Sequence, residues 1–367
     1  MAVPLSVLFF GTYDERNHPR VRVLRQGLQC GDFDVATANR PLAFNTGDRV
    51  GLARKPWRVV WFLVELVKAW IGALRLIPTG ASPDIVVVGY LGHFDVLLSK
   101  IRFPRSTIVL DHMVGLADTA QDRRMRRWVV ALLNIVDAAA LSVADIIVCD
   151  TNEQRGRLSL RQRQRSVVVP VGAPSEWFAV ADTTALDLEP TDHGRPLRIV
   201  FVGLYTPLQG TPFMARALAE AIDLGAGLEV VLVGDGQDAP EVKKILKGYD
   251  NVRFLDWVEA EELPQFVASY DVCLGIFGTT AKASRVVPNK VYQGLAAGTT
   301  VITSNSKCQR ETLGGSCLYV ETDESSKLAN VLYELAKDRS GLHRSSAKQW
   351  EPQAVVASLV ERLSSSE

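Results

Sequence analysis

Short apolar runs recur along the whole chain, and most are followed by a stretch of helical periodicity. In the first half they are SVLFFG (6–11), DIVVVGY (84–90), STIVLD (106–111), DIIVCD (145–150) and SVVVP (166–170). They are continuous rather than alternating and rich in Val and Ile, the pattern of parallel strands buried on both faces. PRVRVLRQGLQC (19–30) reads as a helix, as does a stretch from about 120 to 144 that is basic at its start and apolar beyond. The pattern restarts with LRIVFVG (197–203), LEVVLVGDG (228–236), NVRFLDWV (251–258), DVCLGIF (271–277) and TTVITSN (299–305). Helices are expected between these runs, near 210–223, 239–247, 260–269 and 289–297, and again over 352–364. The two series are separated by VADTTALDLEPTDHGRP (180–196), which is polar, aperiodic and holds two prolines.

The pattern predicts an α/β protein of two doubly wound, Rossmann-like domains. The first spans 1–178, a linker 179–196, the second 197–345, and a helical tail 346–367. A length of 367 residues suits two domains. The chain is 47% apolar and 22% charged, within the range of folded proteins. Its net charge is zero but unevenly spread. Residues 1–175 hold 23 Lys and Arg against 15 Asp and Glu, and the remainder holds 18 against 26. The first half should therefore attract anions.

Five cysteines, with no C-x-x-C spacing, read as reduced thiols of a cytosolic protein. No His or Cys pair has zinc spacing, so no metal is expected. The start, MAVPLSVLFFG, has neither a basic leader nor a cleavage site and reads as a first strand. The most membrane-like segment, KPWRVVWFLVELVKAWIGALRLIP (55–78), is interrupted by Glu65 and Lys68 and is not expected to span a bilayer.

Ligands of such sheets bind at the carboxyl ends of the strands, where the candidate chemistry lies. Gly11 and Thr12 follow the first run; nearby Arg16, His18 and Arg20 are equally well solvated turn residues. His93 follows the second run, and Asp111 and His112 end the third, although a buried histidine is more often structural. VGDGQ (233–237) places Gly234 and Asp235 at a glycine-rich turn without the spacing of a dinucleotide fingerprint or a P-loop. The strongest signal is FGTTAKASRVVPNKVYQGLAAG (277–298). Pro288 is placed at the first helical position, where its missing N–H costs nothing. The free amides of Asn289 and Lys290, the helix dipole and the cations Lys282, Arg285 and Lys290 would suit a diphosphate, with Gly278 in the same loop. The alternative is a solvated basic loop.

These elements, with VGLYTPLQG (202–210) and PNKVYQGLAAGTTVITSN (288–305), resemble the family-4 glycosyltransferases of the GT-B fold. ADIIVCDT (144–151) and VVVPVGAPSEWF (167–178) agree in the first half. The resemblance covers nearly the whole chain and is strongest over 197–337. It implies two Rossmann-like domains facing across a cleft, the second holding a nucleotide-diphosphate sugar and the first an acceptor. It further implies sugar transfer with retention and without a metal or other cofactor. The acceptor would be a glycan, a lipid-linked molecule or a small molecule, and nucleic acid is not expected as a partner.

The resemblance gives His112 a contact with the donor sugar and Asp111 a role in orienting the acceptor. It assigns Gly203, Gly234, Asp235 and Gln293 to the nucleotide. Two departures stand out. The family's E-x7-E pair falls on Arg285 and Gln293, and the loop Gly203–Gly210 lacks the usual Arg and Lys. Lys282, Arg285 and Lys290 would replace those cations. The missing glutamates also leave room for a nucleotide-sugar epimerase, or for a non-catalytic partner protein. A peripheral place at the inner membrane face would give meaning to RRMRR (123–127), RLSLRQRQR (157–165) and the Trp- and Arg-bearing segment 54–75. Against that stands a buried helix over 56–77 with solvated arginines.

Overall fold

The computed structural model of the protein describes residues 4–15, 18–42, 56–122, 125–184, 195–342 and 347–365. Arg16, Arg123, Arg124, the start of the segment 54–75 and most of the expected linker lie outside the described residues. The chain divides into two compact units, Met1–Pro170 with Val355–Glu367, and Val171–Ala354.

The first unit is a six-stranded parallel sheet in the order β2-β1-β3-β4-β5-β6. Its strands are β1 (Leu5–Gly11), β2 (Phe33–Asn39), β3 (Ile85–Val88), β4 (Thr107–Asp111), β5 (Ile146–Cys149) and β6 (Ser166–Val168). The connecting helices are α1 (Arg20–Gln29), α2 (Pro56–Leu74), α3 (Asp95–Arg102), α4 (Leu116–Asp122), α5 (Arg127–Val143), α6 (Asn152–Gly156) and α7 (Leu160–Gln164). From β2 to β5 the chain steps across the sheet in one direction. Right-handed crossovers then place α2, α3 and α5 on one face and α1 on the other. Trp70 of α2 accordingly donates to Asp95 of α3 at 2.7 Å.

The second unit starts with α8 (Ser175–Thr184), so the residues read as a linker are helical up to Thr184. Its sheet has the order β12-β11-β10-β7-β8-β9. The strands are β7 (Leu197–Val202), β8 (Leu228–Val233), β9 (Val252–Leu255), β10 (Val272–Leu274), β11 (Thr300–Ser304) and β12 (Leu318–Val320). The helices are α9 (Thr211–Asp223), α10 (Ala239–Ile245), α11 (Leu263–Ala268), α12 (Asn289–Ala296), α13 (Lys307–Leu313) and α14 (Ser325–Lys337). The tail forms α15 (Pro352–Val355) and α16 (Ala357–Ser364), and Ser358 Oγ donates to Val168 O of the first unit's edge strand at 2.9 Å.

An aspartate immediately before a strand pins its neighbour three times. Asp84 accepts from Ser6 N (2.8 Å) and Oγ (2.6 Å), Asp145 from Ile108 N (2.9 Å), and Asp271 from Arg198 N (2.9 Å). These ties close the amino ends of both sheets and fix the register there. The chemistry is left to the carboxyl ends.

Two sequence expectations need correction. The helix expected over 120–144 is broken: α4 ends at Asp122, and Arg126 is extended (φ −60°, ψ 141°) before α5 begins. The edge strands β2 and β12 were not expected. One is half polar and the other has three residues, so neither shows a buried run.

Candidate functional site

In the second unit the strand order reverses between β7 and β10, the place where doubly wound sheets bind ligands. Three backbone turns meet there. A Cβ on Gly234 (φ +120°) would lie 2.1 Å from Gly203 O, and one on Gly210 (φ +66°) 2.4 Å from the carbonyl carbon of Phe277. A Cβ on Gly278 would lie 2.4 Å from Pro207 O. Only glycine permits this approach at the two left-handed positions.

Lys290 enters the same corner from the first turn of α12. Its Nζ would be 2.6 Å from a Cβ on Gly203, which explains that glycine too. The ammonium sits 3.5 Å from the Phe201 ring centroid. It is 8% exposed and has no hydrogen-bond partner among the described residues. Burial pushes its pKa from 10.5 down to about 7. A buried amine with no acceptor, at a helix start, is a site shaped for an anion.

Pro288 is the N-cap residue with extended backbone (ψ 156°), not the first helical residue as the sequence suggested. Its carbonyl accepts from Val291 N at 3.0 Å, leaving the Asn289 and Lys290 amides without intrahelical acceptors. The N-cap residue makes no side-chain hydrogen bond, so no capping side chain offsets the positive end of the helix dipole. Lys282 and Arg285 lie upstream around a 3₁₀ turn, Ala283–Arg285, both half-buried. The structure therefore joins Lys290, Gly203 and Gly234, with Gly278 on the adjoining loop. Gln293 lies one turn further along α12, half-buried. Asp235 is exposed, and its carbonyl accepts from Tyr205 N at 3.0 Å.

In the first unit His112 immediately follows β4, and its amide donates to Val148 O at 2.8 Å. The ring is 5% exposed, lies 5.7 Å from that of His93 and leaves Nδ1 without a hydrogen-bond partner among the described residues. Burial, reinforced by His93, lowers the His112 pKa to about 4, so the imidazole is neutral at pH 7. His93 Nε2 lies 3.3 Å from Asp137 Oδ1. Asp137 also accepts from the Leu116 and Ala117 amides at 3.0 Å, capping α4. The two histidines after neighbouring strands lie side by side, and the Asp137 carboxylate adjoins His93.

Asp111 has another duty. Its carboxylate is fully buried and accepts from Arg20 Nε at 3.1 and 3.3 Å. Arg20 also donates to Pro170 O at 2.6 Å. The Asp111 carboxylate is thus buried and engaged by Arg20 at the end of β4. Asp150, at the end of β5, is buried beside the pair, and burial lifts its pKa to about 7. Neither Arg20 nor Asp150 stood out in the sequence. Thr12 is likewise engaged: its N and Oγ1 donate to Asp95 at 2.8 and 3.0 Å, and a Cβ on Gly11 would lie 2.9 Å from the same carboxylate.

Residues 196–338 match the family described as Glycosyl transferases group 1. Both units together resemble sucrose-phosphate synthase of Thermosynechococcus elongatus, with a TM-score of 0.69 and 15% identity over 99% of this chain and 100% of that one. They also resemble Anabaena HepE in complex with UDP and glucose, with a TM-score of 0.64 and 14% identity over 98% and 100%. The fold is GT-B. A UDP-N-acetylglucosamine 2-epimerase-like protein from Listeria monocytogenes shares it, with a TM-score of 0.55 and 14% identity over 100% and 97%. None of the curated proteins compared with the chain matches it. In a GT-B frame, the corner formed by Gly203, Gly234 and Lys290 belongs to the second Rossmann-like unit, and the His112 cluster to the first.

Proposed function

We propose that this protein transfers a sugar from a nucleotide-diphosphate sugar to an acceptor, its second unit holding the donor. The observation that carries this reading is Lys290: a buried ammonium without an acceptor, at the open start of α12, against the glycine turns of β7 and β8. A diphosphate supplies the missing acceptors and the opposite charge. The family match over 196–338 and the UDP and UDP-glucose complexes of HepE support the same reading.

Lys290 neutralises the leaving diphosphate, joined by Lys282 and Arg285, which compensate for the cation-free loop Gly203–Gly210. Gln293 bonds the ribose hydroxyls, and the turn at Gly234 and Asp235 lies under the nucleoside. Neutral His112 serves the sugar from the first unit as a hydrogen-bonding group, with Asp111 and Arg20 holding its strand end. Transfer proceeds with retention and without a metal, the departing diphosphate accepting the acceptor's proton. Catalysis then rests on positioning and charge stabilisation. The setting is cytoplasmic, where the free thiols stay reduced, and the acceptor is a glycan, a lipid-linked molecule or a small molecule.

The test is the melting temperature of the purified protein with UDP, GDP, dTDP and ADP, each with and without EDTA. One nucleotide at a hundred times its Kd adds about 2.7 kcal/mol to stability. A shift by one of them that survives EDTA supports the donor site and names its base. No shift with any of them contradicts it. Incubation of the matching nucleotide sugar without acceptor separates transfer from epimerisation, because only the epimerase would turn the sugar over.

A further inference from the structure

The first unit exposes apolar side chains in a pattern that its fold does not need. Val60, Val64, Val67 and Ile71 of α2 are 45–62% exposed and follow helical spacing along one face, with Trp61 beside them at 49%. On α5, Trp128 (60%), Leu132 (53%) and Ile135 (66%) form a second stripe with the same spacing. Both helices lie on the same face of the sheet and begin at its carboxyl rim, so Trp61 and Trp128 sit toward the same end. Exposed Arg126 and Arg127 adjoin Trp128. Among the described residues, the second unit has only four exposed large hydrophobics, and none is on a helix stripe of this kind. Exposed apolar stripes accompanied by cations mark an interaction site.

A cleft of about 410 Å³ runs along the edge of α2 next to its stripe. It is lined by Arg40 and Leu42 from the exit of β2, by Glu65, Lys68 and Gly72 of α2, and by Arg75 just beyond it. Three cations face one carboxylate, and that carboxylate is paired with Lys68 at 2.7 Å. Residues 65, 68, 72 and 75 recur at helical spacing, about a quarter-turn from the apolar stripe. One edge of α2 is thus apolar and the adjoining edge is a basic pocket. No described helix is long and apolar enough to cross a membrane. An apolar stripe beside a basic edge is the pattern of a helix that lies in a lipid interface.

We propose that α2 lies flat in the surface of an anionic lipid bilayer. Its apolar stripe enters the acyl boundary, the tryptophans sit at headgroup level, and the Arg40–Lys68–Arg75 cleft holds a lipid phosphate. The α5 stripe makes the second line of contact. Anionic lipid is favoured over a second copy of the chain by the charge: the rim and the cleft are both basic, and two such surfaces repel each other. The inference does not rest on sugar transfer, because vesicle binding is read without donor or turnover.

The test is flotation of the full chain with phosphatidylcholine vesicles, with and without phosphatidylglycerol, alongside sedimentation velocity of the free protein. The wild type is expected to float with the anionic vesicles and to sediment as one concentration-independent species. Val64→Glu with Val67→Glu should abolish flotation. Arg40→Ala with Arg75→Ala should weaken partition to anionic vesicles about thirtyfold, from about 1 kcal/mol for each arginine at such a surface, and leave neutral vesicles unaffected. Should the glutamate pair fail to give a wild-type circular dichroism spectrum, Val67→Ser with Ile71→Ser takes its place. Four results overturn the proposal: no flotation of the wild type, flotation of the stripe variant at wild-type level, an unchanged cleft variant, or a dimer that the stripe variant dissociates. A melt shifted by inorganic phosphate without vesicle binding also overturns it.

Discussion

Replacing Lys290 by methionine should make the protein more stable and less able to bind its donor. The ammonium is buried, and its pKa falls from 10.5 to about 7. Unfolding at neutral pH therefore takes up a proton that the folded state holds weakly. The fall from 10.5 to about 7 corresponds to roughly 4–5 kcal/mol of destabilisation below pH 7. The Phe201 face, 3.5 Å from Nζ, returns about 1–2 kcal/mol of it. The net penalty is about 3 kcal/mol at pH 7. It fades as pH rises through the window from about 7 to 10.5, where the unfolded chain alone still binds the proton. Methionine keeps the length of the side chain and removes the charge. We expect Lys290→Met to melt roughly 5–10 °C above wild type at pH 7, scaled for a domain of this size. The gain should shrink as pH approaches 10. Loss of the charge-assisted contact should weaken nucleoside diphosphate binding by about 2 kcal/mol, roughly thirtyfold. Scanning calorimetry at pH 7 and pH 10, with titration calorimetry at pH 7, reads both effects. A variant that melts no higher than wild type at pH 7, or binds diphosphate equally well, refutes the reasoning.

Other expectations follow from the same geometry. His112→Ala should lower kcat on the order of 10²-fold while leaving nucleotide Kd near wild type, and the cavity left by the buried ring should cost about 1–3 kcal/mol in thermal stability. Arg20→Met strands Asp111 and Asp150 in the interior and should cost about 3–5 kcal/mol in urea unfolding at pH 8. The loss should be smaller at pH 5, since burial raises both carboxyl pKa values and protonation then relieves the uncompensated charge. Gly234→Ala meets Gly203 O at 2.1 Å from a left-handed backbone and should cost about 2–4 kcal/mol by thermal melting, with nucleotide binding lost.

The central strands were legible because they are buried on both faces: IVVV in β3 and IIVC in β5 are short, continuous and rich in β-branched residues. The same logic hid the edges, where Phe33–Asn39 leaves polar residues exposed and Leu318–Val320 is too short to register. The break before α5 is marked by a cluster of arginines, which single-sequence periodicity treats as the polar face of one continuous helix. Pro288 was located correctly as a helix start but one position too far in. Extended backbone at the residue before a helix is as natural to proline as the first helical turn.

The donor corner was readable from residue types, since glycines after strands and cations before a helix stand out locally. What the sequence could not disclose was the burial of Lys290, although its neighbours Val291, Tyr292 and Leu295 hint that this first turn faces inward. The pairing of Arg20 with Asp111 spans 91 positions and leaves no local trace. Arg20, one residue past a proline, reads as a solvated turn residue until the fold carries it under β4. The apolar face of α2 was visible as composition, but the sequence allowed it to be a buried helix; the structure exposes it.

The most direct measurement is titration calorimetry of the wild-type protein in EDTA with a nucleoside diphosphate and with the monophosphate of the same base. If α12 and Lys290 receive the β-phosphate, the diphosphate binds at least tenfold tighter, and Lys290→Met removes that advantage. Equal affinities for the two, or a diphosphate preference that survives Lys290→Met, would contradict the placement of the donor.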